Sequence, residues 1–136
     1  MEIRNLNAEE ISALSDGLNM AGRMLNYEGS IPANKVQELY DYFLNNGREF
    51  EEGVIALGLA FGALFIDGGG YEWARVSDEY GDETVVRING KKLFCSPISM
   101  IQKRLDRREA INIQELYQDT VEALWDNHYH SDDFDG

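Results

Sequence analysis

The residues best suited to chemistry in this chain are four carboxylates within six consecutive positions. Together with one aromatic side chain they form a segment that contains Asp78, Glu79, Tyr80, Asp82 and Glu83. Such a group could hold a divalent cation or present negative charge to a basic partner. A calcium-binding loop also needs regularly alternating oxygen ligands and a closing glutamate, and this segment lacks that pattern. We therefore predict no metal here, and we keep two alternatives, a solvated turn and a contact for a partner.

Basic residues are concentrated between Arg87 and Arg108. This segment holds seven bases and one acid, a local charge of +6, whereas the rest of the chain has five bases and twenty-four acids, a charge of −19. On the predicted helix, Lys103 and Arg107 point away from the apolar face, and Arg104 flanks it. The acidic remainder would repel phosphates, so nucleic acid is not the expected partner. We expect these cations to bind an acidic protein surface, such as a second copy of this chain, or to pair with nearby acids.

The side chains needed for nucleophilic catalysis do not form a recognisable set. The lone cysteine, Cys95, lies in an apolar run, which favours a buried structural thiol. The only histidines, His128 and His130, lie near an acidic C-terminus, so a catalytic base would have to come from a frayed segment. That segment also lacks the four fixed ligands of a structural zinc site. We predict no cofactor and no metal, and enzymatic activity is an alternative rather than the expectation.

Periodic apolar residues predict three helices before the carboxylate segment. They run from about Ala8 to Leu25, over the apolar positions Val36 to Leu44, and from about Glu49 to Ile66. Asn7 and Glu10 form a capping-box pattern at the first helix, and Gly47 suits a left-handed cap after the second. The third helix is apolar on nearly all sides, so we expect it at the centre of the core. Its Gly58 and Gly62 would allow a neighbouring element to pack closely.

Three short strands are predicted after the glycines that end the third helix. They run from Tyr71 to Ser77, from Thr84 to Ile88 and from Lys91 to Cys95, as an antiparallel meander. Asn89-Gly90 joins the last two, because both residues tolerate the positive φ of a tight hairpin turn. Two helices follow, the first capped by Ser96 with Pro97 behind it, the second capped by Asn112. The predicted class is α+β, with N-terminal helices, a three-stranded antiparallel meander and two C-terminal helices.

Length and composition indicate one soluble domain. The 136 residues are 43% hydrophobic, so we expect a single core over residues 1–127 and a flexible acidic tail over 128–136. The longest uncharged stretch, Val54 to Ile66, is shorter than the ~20 residues that cross a bilayer, and no membrane contact is expected. Residues 1–5 lack the cationic and apolar parts of a signal peptide, so we expect a cytoplasmic protein.

Three short motifs carry a resemblance to a known family. They are Ala56-Leu57-Gly58-Leu59-Ala60-Phe61-Gly62, Glu72-Trp73 with Asp78-Glu79-Tyr80-Gly81, and Pro97-Ile98-Ser99-Met100-Ile101-Gln102-Lys103-Arg104. From about Arg48 to Asn127 the chain resembles the bacterial domain-of-unknown-function family 3806. The resemblance implies an α+β domain with a helix, a meander and two more helices. It implies no reaction.

The sorted charges give the leading functional hypothesis, a non-catalytic bacterial protein-binding domain. An immunity-type inhibitor or accessory protein is the most concrete form, because an acidic surface accelerates the approach of a basic partner. One alternative is a small-molecule-binding or enzymatic domain with a pocket between sheet and helices, using carboxylates near the Asp78 to Glu83 turn. Two converging carboxylates in a deep pocket would favour it, whereas a filled core and a flat acidic face would favour the binding domain. A structural homodimer is the second alternative.

Overall fold

The computed structural model describes residues 1–47 and 49–130. They form, in order, β1 (Glu2–Asn5), α1 (Ala8–Leu25), α2 (Ala33–Asn46), α3 (Glu51–Gly68), β2 (Tyr71–Asp78), β3 (Gly81–Ile88), β4 (Phe94–Cys95), α4 (Pro97–Asp106) and α5 (Ile113–His130). The α+β class is confirmed, and each predicted helix is present with small differences at its ends. The backbone of α5 continues to His130, so the first part of the predicted tail is helical. The flexibility expected of residues 131–136 lies outside the described residues.

The strands form one antiparallel sheet in the order β1-β2-β3-β4. β2 and β3 pair along their full length, from Tyr71 opposite Ile88 to Asp78 opposite Gly81. The predicted meander is therefore present, with β1 added at its outer edge against β2. The sequence did not indicate β1, because its four residues include a single apolar one, Ile3, and so show no alternation.

The connection between β3 and β4 differs from the predicted tight hairpin. A turn does form at Asn89-Gly90, since the Lys91 N–H donates to the Ile88 carbonyl at 2.9 Å. Gly90 has a φ of 71°, but Asn89 does not share the positive φ that the tight hairpin turn requires at both positions. The Ile88 N–H then donates to the Leu93 carbonyl at 3.0 Å. The loop is therefore longer than predicted, although β3 and β4 are antiparallel as expected.

α3 lies at the centre of the core, as its apolar sequence predicts. It contacts α1, α2, α4 and α5 as well as β2 and β3, and most of its residues are buried. A methyl group added at Gly58 would lie 2.6 Å from the Ile98 Cα, and one at Gly62 would lie 2.6 Å from the Trp73 ring. Both glycines thus permit close packing. Within residues 1–47 and 49–130, no helix is both long enough and apolar enough to span a membrane.

Capping agrees with the sequence at α1 and α5 and differs at α4. The Asn7 Oδ1 accepts the Glu10 N–H, and the Glu10 carboxylate accepts the Asn7 N–H, both at 2.9 Å, which confirms the capping box. The Asn112 Oδ1 accepts the Glu115 N–H at 2.9 Å. The prediction that the Ser96 side chain caps α4 is wrong, because its hydroxyl oxygen accepts no backbone N–H of the helix. The hydroxyl donates to the Glu83 carboxylate of β3 at 3.3 Å.

Candidate functional site

The carboxylate segment forms the tip of the β2–β3 hairpin. The strands pair up to Asp78 and Gly81, so only Glu79 and Tyr80 lie between them. The Asp78 Oδ1 accepts the Tyr80 N–H at 2.8 Å. Gly81 has a φ of 125°, which residues with a side chain rarely adopt. Local hydrogen bonding and glycine therefore hold the turn, whose residues 78–82 are all exposed.

Tyr80 is 90% exposed, the highest value among the exposed large hydrophobic residues of the described part of the chain. Asp78, Glu79 and Asp82 are exposed beside it in sequence. We call these four residues the acidic tip. Its aromatic ring could bury a large area against a partner while losing little rotational freedom, because tyrosine has only two side-chain torsions.

Glu83 does not belong to the acidic tip, although the sequence groups it there. Its carboxylate accepts hydrogen bonds from the hydroxyls of Ser99 at 2.5 Å and Ser96 at 3.3 Å. Both serines lie at the start of α4, so the negative charge is near the positive end of the helix dipole. Glu83 therefore links the sheet to α4, and the predicted group of four carboxylates separates into three exposed residues and one structural residue.

The predicted basic residues lie at the other end of α4. Lys103 and Arg104 are in its last turn, where the Arg104 guanidinium donates to the Met100 carbonyl at 3.1 Å. The helix ends before Arg107, whose guanidinium lies 3.9 Å from the Glu109 carboxylate. At about 1.5 Å per residue, Lys103 and Arg104 are roughly 6 to 12 Å along the axis from the serines that bind β3. The acidic and basic candidates lie on different elements, and the structure does not join them in one site.

A groove of about 510 Å³ lies between the helices and the sheet. We call it the β-side groove. Apolar residues of α1, α3 and α4 line it together with four carboxylates and one arginine, which are Glu9, Glu10, Asp82, Glu83 and Arg75. Its position matches the pocket that the ligand-binding alternative requires.

Two carboxylates of the β-side groove are bound by other groups of the protein. Glu10 accepts hydrogen bonds from both terminal nitrogens of Arg4, at 2.7 and 2.8 Å, and lies 3.4 Å from the Arg75 Nε. The hydrogen bonds from Arg4, followed by that from the Asn7 N–H, lower the pKa of Glu10 to about 2. A general acid or base needs a pKa near the working pH, so Glu10 acts as a structural ion. Glu83 is bound by the serines of α4.

The role of Arg75 in this network was not predicted from the sequence. Arg75 has the same strand parity as Tyr71 and Trp73, which pack in the main core, so alternation places it on the helix-facing side of β2. A charged residue on that face needs a partner, which is a signal that the sequence contains. That this partner is Glu10 follows only from the tertiary fold.

Cys95 is a buried thiol, as its apolar neighbours predict. Burial raises the pKa of Cys95 to about 12, so almost none of it is thiolate at neutral pH. Among the side chains described for residues 1–47 and 49–126, no three histidine, cysteine, aspartate or glutamate groups are placed so that they could hold a metal ion.

One family model, described as a domain of unknown function (DUF3806), matches residues 33–117. The match spans more than half of the 136 residues. The chain belongs to the DUF3806 family. The resemblance is thereby confirmed, although the matched region begins and ends earlier than the expected 48–127. No match was found among curated proteins or among solved structures.

The DUF3806 match divides the candidate features between two parts of the chain. It begins at α2 and ends within α5, so it contains α3, the β2–β3 hairpin and α4. The acidic tip and Glu83 lie inside the match. Arg4 and Glu10 lie before it, so the ion pairs at the β-side groove join β1 and α1 to the family region.

Proposed function

We propose that this DUF3806 protein is a non-catalytic protein-binding domain that contacts a basic partner through the acidic tip. The observation that carries the proposal is the 90% exposure of Tyr80 beside exposed carboxylates. A ring exposed in this way contributes little to folding, whereas tyrosine is enriched among the residues that dominate protein interfaces. The locally fixed turn also supports the proposal, because a preorganised contact loses less conformational entropy on binding.

The charge distribution supports the choice of a basic partner. Outside the segment from Arg87 to Arg108, the chain carries five bases and twenty-four acids, a charge of −19. Long-range attraction of this sign increases the association rate of a basic protein. An inhibitor or accessory protein that covers a basic enzyme or toxin in the bacterial cytoplasm is the specific form of the proposal.

The β-side groove favours a second candidate, the binding of a small cationic ligand. Its position between sheet and helices suits that function, but Glu10 and Glu83 already accept hydrogen bonds within the protein. A ligand would therefore depend on Glu9 and Asp82, which are exposed. This is a weaker basis than the acidic tip, whose side chains face solvent together.

Matched tyrosine variants test the proposed function. Wild type, Tyr80→Ser and Tyr27→Ser are used in parallel to isolate a stoichiometric partner from the native cell, and the affinity of the purified partner is then measured. We expect Tyr80→Ser to bind about 30-fold more weakly, because interface tyrosines commonly contribute about 2 kcal/mol. Tyr27 is 36% exposed and lies outside the hairpin, so Tyr27→Ser should bind as the wild type does.

Two results would contradict the proposal. One is equal affinity of all three proteins for the partner at unchanged melting temperature, which would show that Tyr80 of the acidic tip is not a binding contact. The other is an acidic partner, since the argument from charge requires a basic one. Light scattering of the purified chain addresses the homodimer alternative, because a dimer that dissociates at high salt would indicate contact between basic and acidic surfaces.

A further inference from the structure

We propose that a second docking site lies along α2 and takes a large apolar side chain of a partner protein that is flanked by lysine or arginine. The site is a groove of about 670 Å³ that is lined by the end of α1, by α2 and by residues just before α3. We call it the α2 groove. Its apolar lining includes Met24, Leu39, Tyr42, Phe43 and Phe50. It shares no residue with the acidic tip, so the inference goes beyond the proposed function.

Two aromatic side chains of the α2 groove are exposed to solvent. Tyr42 is 58% exposed and Phe50 is 49% exposed. The core-facing positions of α2, which include Leu39 and Phe43, are buried, so Tyr42 is additional to the face that packs in the core. Aromatic rings exposed on one concave surface mark an interaction site more often than a single exposed residue does.

Packing holds both rings in place. The Tyr42 ring meets the Phe43 ring edge-on, with 5.4 Å between their centroids. Phe50 lies over Gly53, where an added methyl group would be 2.6 Å from the Phe50 ring and 2.8 Å from the Phe43 ring. The buried Phe43 thus supports both exposed aromatics. A surface preformed in this way loses little entropy when a ligand binds.

Charge complementarity identifies the occupant. Among the lining residues that the structure describes, Glu38 and Glu49 are the charged ones, and both are exposed. Glu38 pairs with Lys35 at 3.0 Å, yet its side chain is still 57% exposed. Carboxylates beside an apolar surface favour a cation next to the apolar side chain, because the stem of lysine or arginine can also cover apolar area. The acidic residues 131–136 of this chain would be repelled, which makes them a poorer occupant.

Chemical-shift mapping with short peptides tests the inference on the full chain. The probe is N-acetyl-Lys-Phe-Lys-amide, and the matched controls are N-acetyl-Lys-Ala-Lys-amide and N-acetyl-Glu-Phe-Glu-amide. We expect saturable shifts at Met24, Leu39 and Gly47, with an affinity for the probe about tenfold above that for either control. The alanine peptide tests the apolar contact, and the glutamate peptide tests the charge.

Variants of the chain complete the test. Tyr42→Ser should weaken binding of the probe about fivefold or more, whereas Ile11→Ser should have no effect, since Ile11 is 55% exposed on α1 outside the groove. If Tyr42→Ser unfolds, the surface variant Glu49→Gln replaces it. This variant should weaken binding of the lysine-containing probe and should not weaken binding of N-acetyl-Glu-Phe-Glu-amide. Tyr80→Ser should bind the probe as the wild type does, so this inference and the proposed function fail independently.

Three outcomes would overturn the inference. The first is a set of shifts that do not saturate or that are equal for the alanine peptide, which would indicate attraction by the overall negative charge. The second is a set of shifts centred on the acidic tip or the β-side groove. The third is a change in the chemical shifts of the α2 groove with protein concentration in the absence of peptide, which would identify a second copy of the chain as the occupant.

Discussion

α3 and the acidic tip differ in the surroundings of their residues: those of α3 are closely packed, and those of the tip are exposed to solvent. In α3, neighbouring atoms are so close that a methyl group at Gly58 would lie 2.6 Å from the Ile98 Cα. At the acidic tip, Tyr80 has a large side chain that is 90% exposed. A substitution in α3 should therefore change the free energy of unfolding, whereas one at the tip should change binding and leave unfolding nearly unaffected.

The largest expected effect is the loss of stability in Gly58→Leu. A leucine cannot be placed without moving the α4 backbone at Ile98, so we expect destabilisation on the order of 1–3 kcal/mol. Urea unfolding at neutral pH measures it. Gly17→Ala is the matched control, because the added methyl group would meet only the flexible end of the Leu59 side chain. The helix propensity of alanine, about 1 kcal/mol better than that of glycine, offsets that contact. Equal stability of Gly58→Leu and wild type would contradict the close packing of α3 at the centre of the core.

The next effect is on the association rate, and it concerns the three exposed carboxylates of the β2–β3 hairpin. Neutralising Asp78, Glu79 and Asp82 to Asn or Gln should lower the on-rate for the basic partner about tenfold at low salt. The difference from the wild type should diminish as salt rises from about 0.05 to 0.5 M, because screening shortens the reach of the charges. Surface-binding kinetics across this salt series measures both. An on-rate that responds to neither salt nor substitution would exclude electrostatic capture.

Glu83→Gln is the control for that experiment. Its carboxylate is bound by Ser96 and Ser99, so the variant should lose about 1 kcal/mol of stability and change the on-rate less than the tip substitutions do. A quadruple variant of all four carboxylates would mix these two effects. The structure therefore distinguishes the three exposed carboxylates of the acidic tip from the hydrogen-bonded Glu83, although the sequence places all four in one group.

The features that the sequence predicted well are those that depend on neighbouring residues. Asn7 with Glu10 and Asn112 with Glu115 form the expected caps, because a cap is complete within four residues. The turn between β2 and β3 was also predicted, since its residues are adjacent in the chain. The third helix was predicted as buried because its apolar composition leaves no polar face.

The features that the sequence did not predict depend on residues far apart in the chain. β1 is a strand only because β2 offers an edge to pair with. The Ser96 hydroxyl, predicted to cap α4, donates to Glu83, a residue thirteen positions earlier that the pattern at the start of α4 does not indicate. The α2 groove combines residues of α1, of α2 and of the segment before α3, and no local pattern indicates that Tyr42 and Phe50 line the same surface.

The smallest expected effect is the pH dependence of the contact between β1, α1 and β2. Glu10 has a pKa of about 2 in the folded chain, lowered from its ordinary value of 4.5 chiefly by the hydrogen bonds from Arg4. Because the folded-state pKa is depressed, the stabilisation from ionised Glu10 is fully present above the ordinary value and is lost as the pH falls toward the folded value. The wild type should thus be more stable than Glu10→Gln at neutral pH.

That difference in stability between wild type and Glu10→Gln should narrow between about pH 4.5 and 2, as measured by urea unfolding at each pH. The Arg4→Gln background is the control, because the largest cause of the shift is then absent and the effect of Glu10→Gln should be smaller at every pH. A difference that stays constant down to about pH 2 would contradict the ion pair. Because Glu10 precedes the matched region 33–117 while Arg75 lies within it, a second cycle of Glu10→Gln with Arg75→Gln measures how strongly α1 is attached to the DUF3806 region.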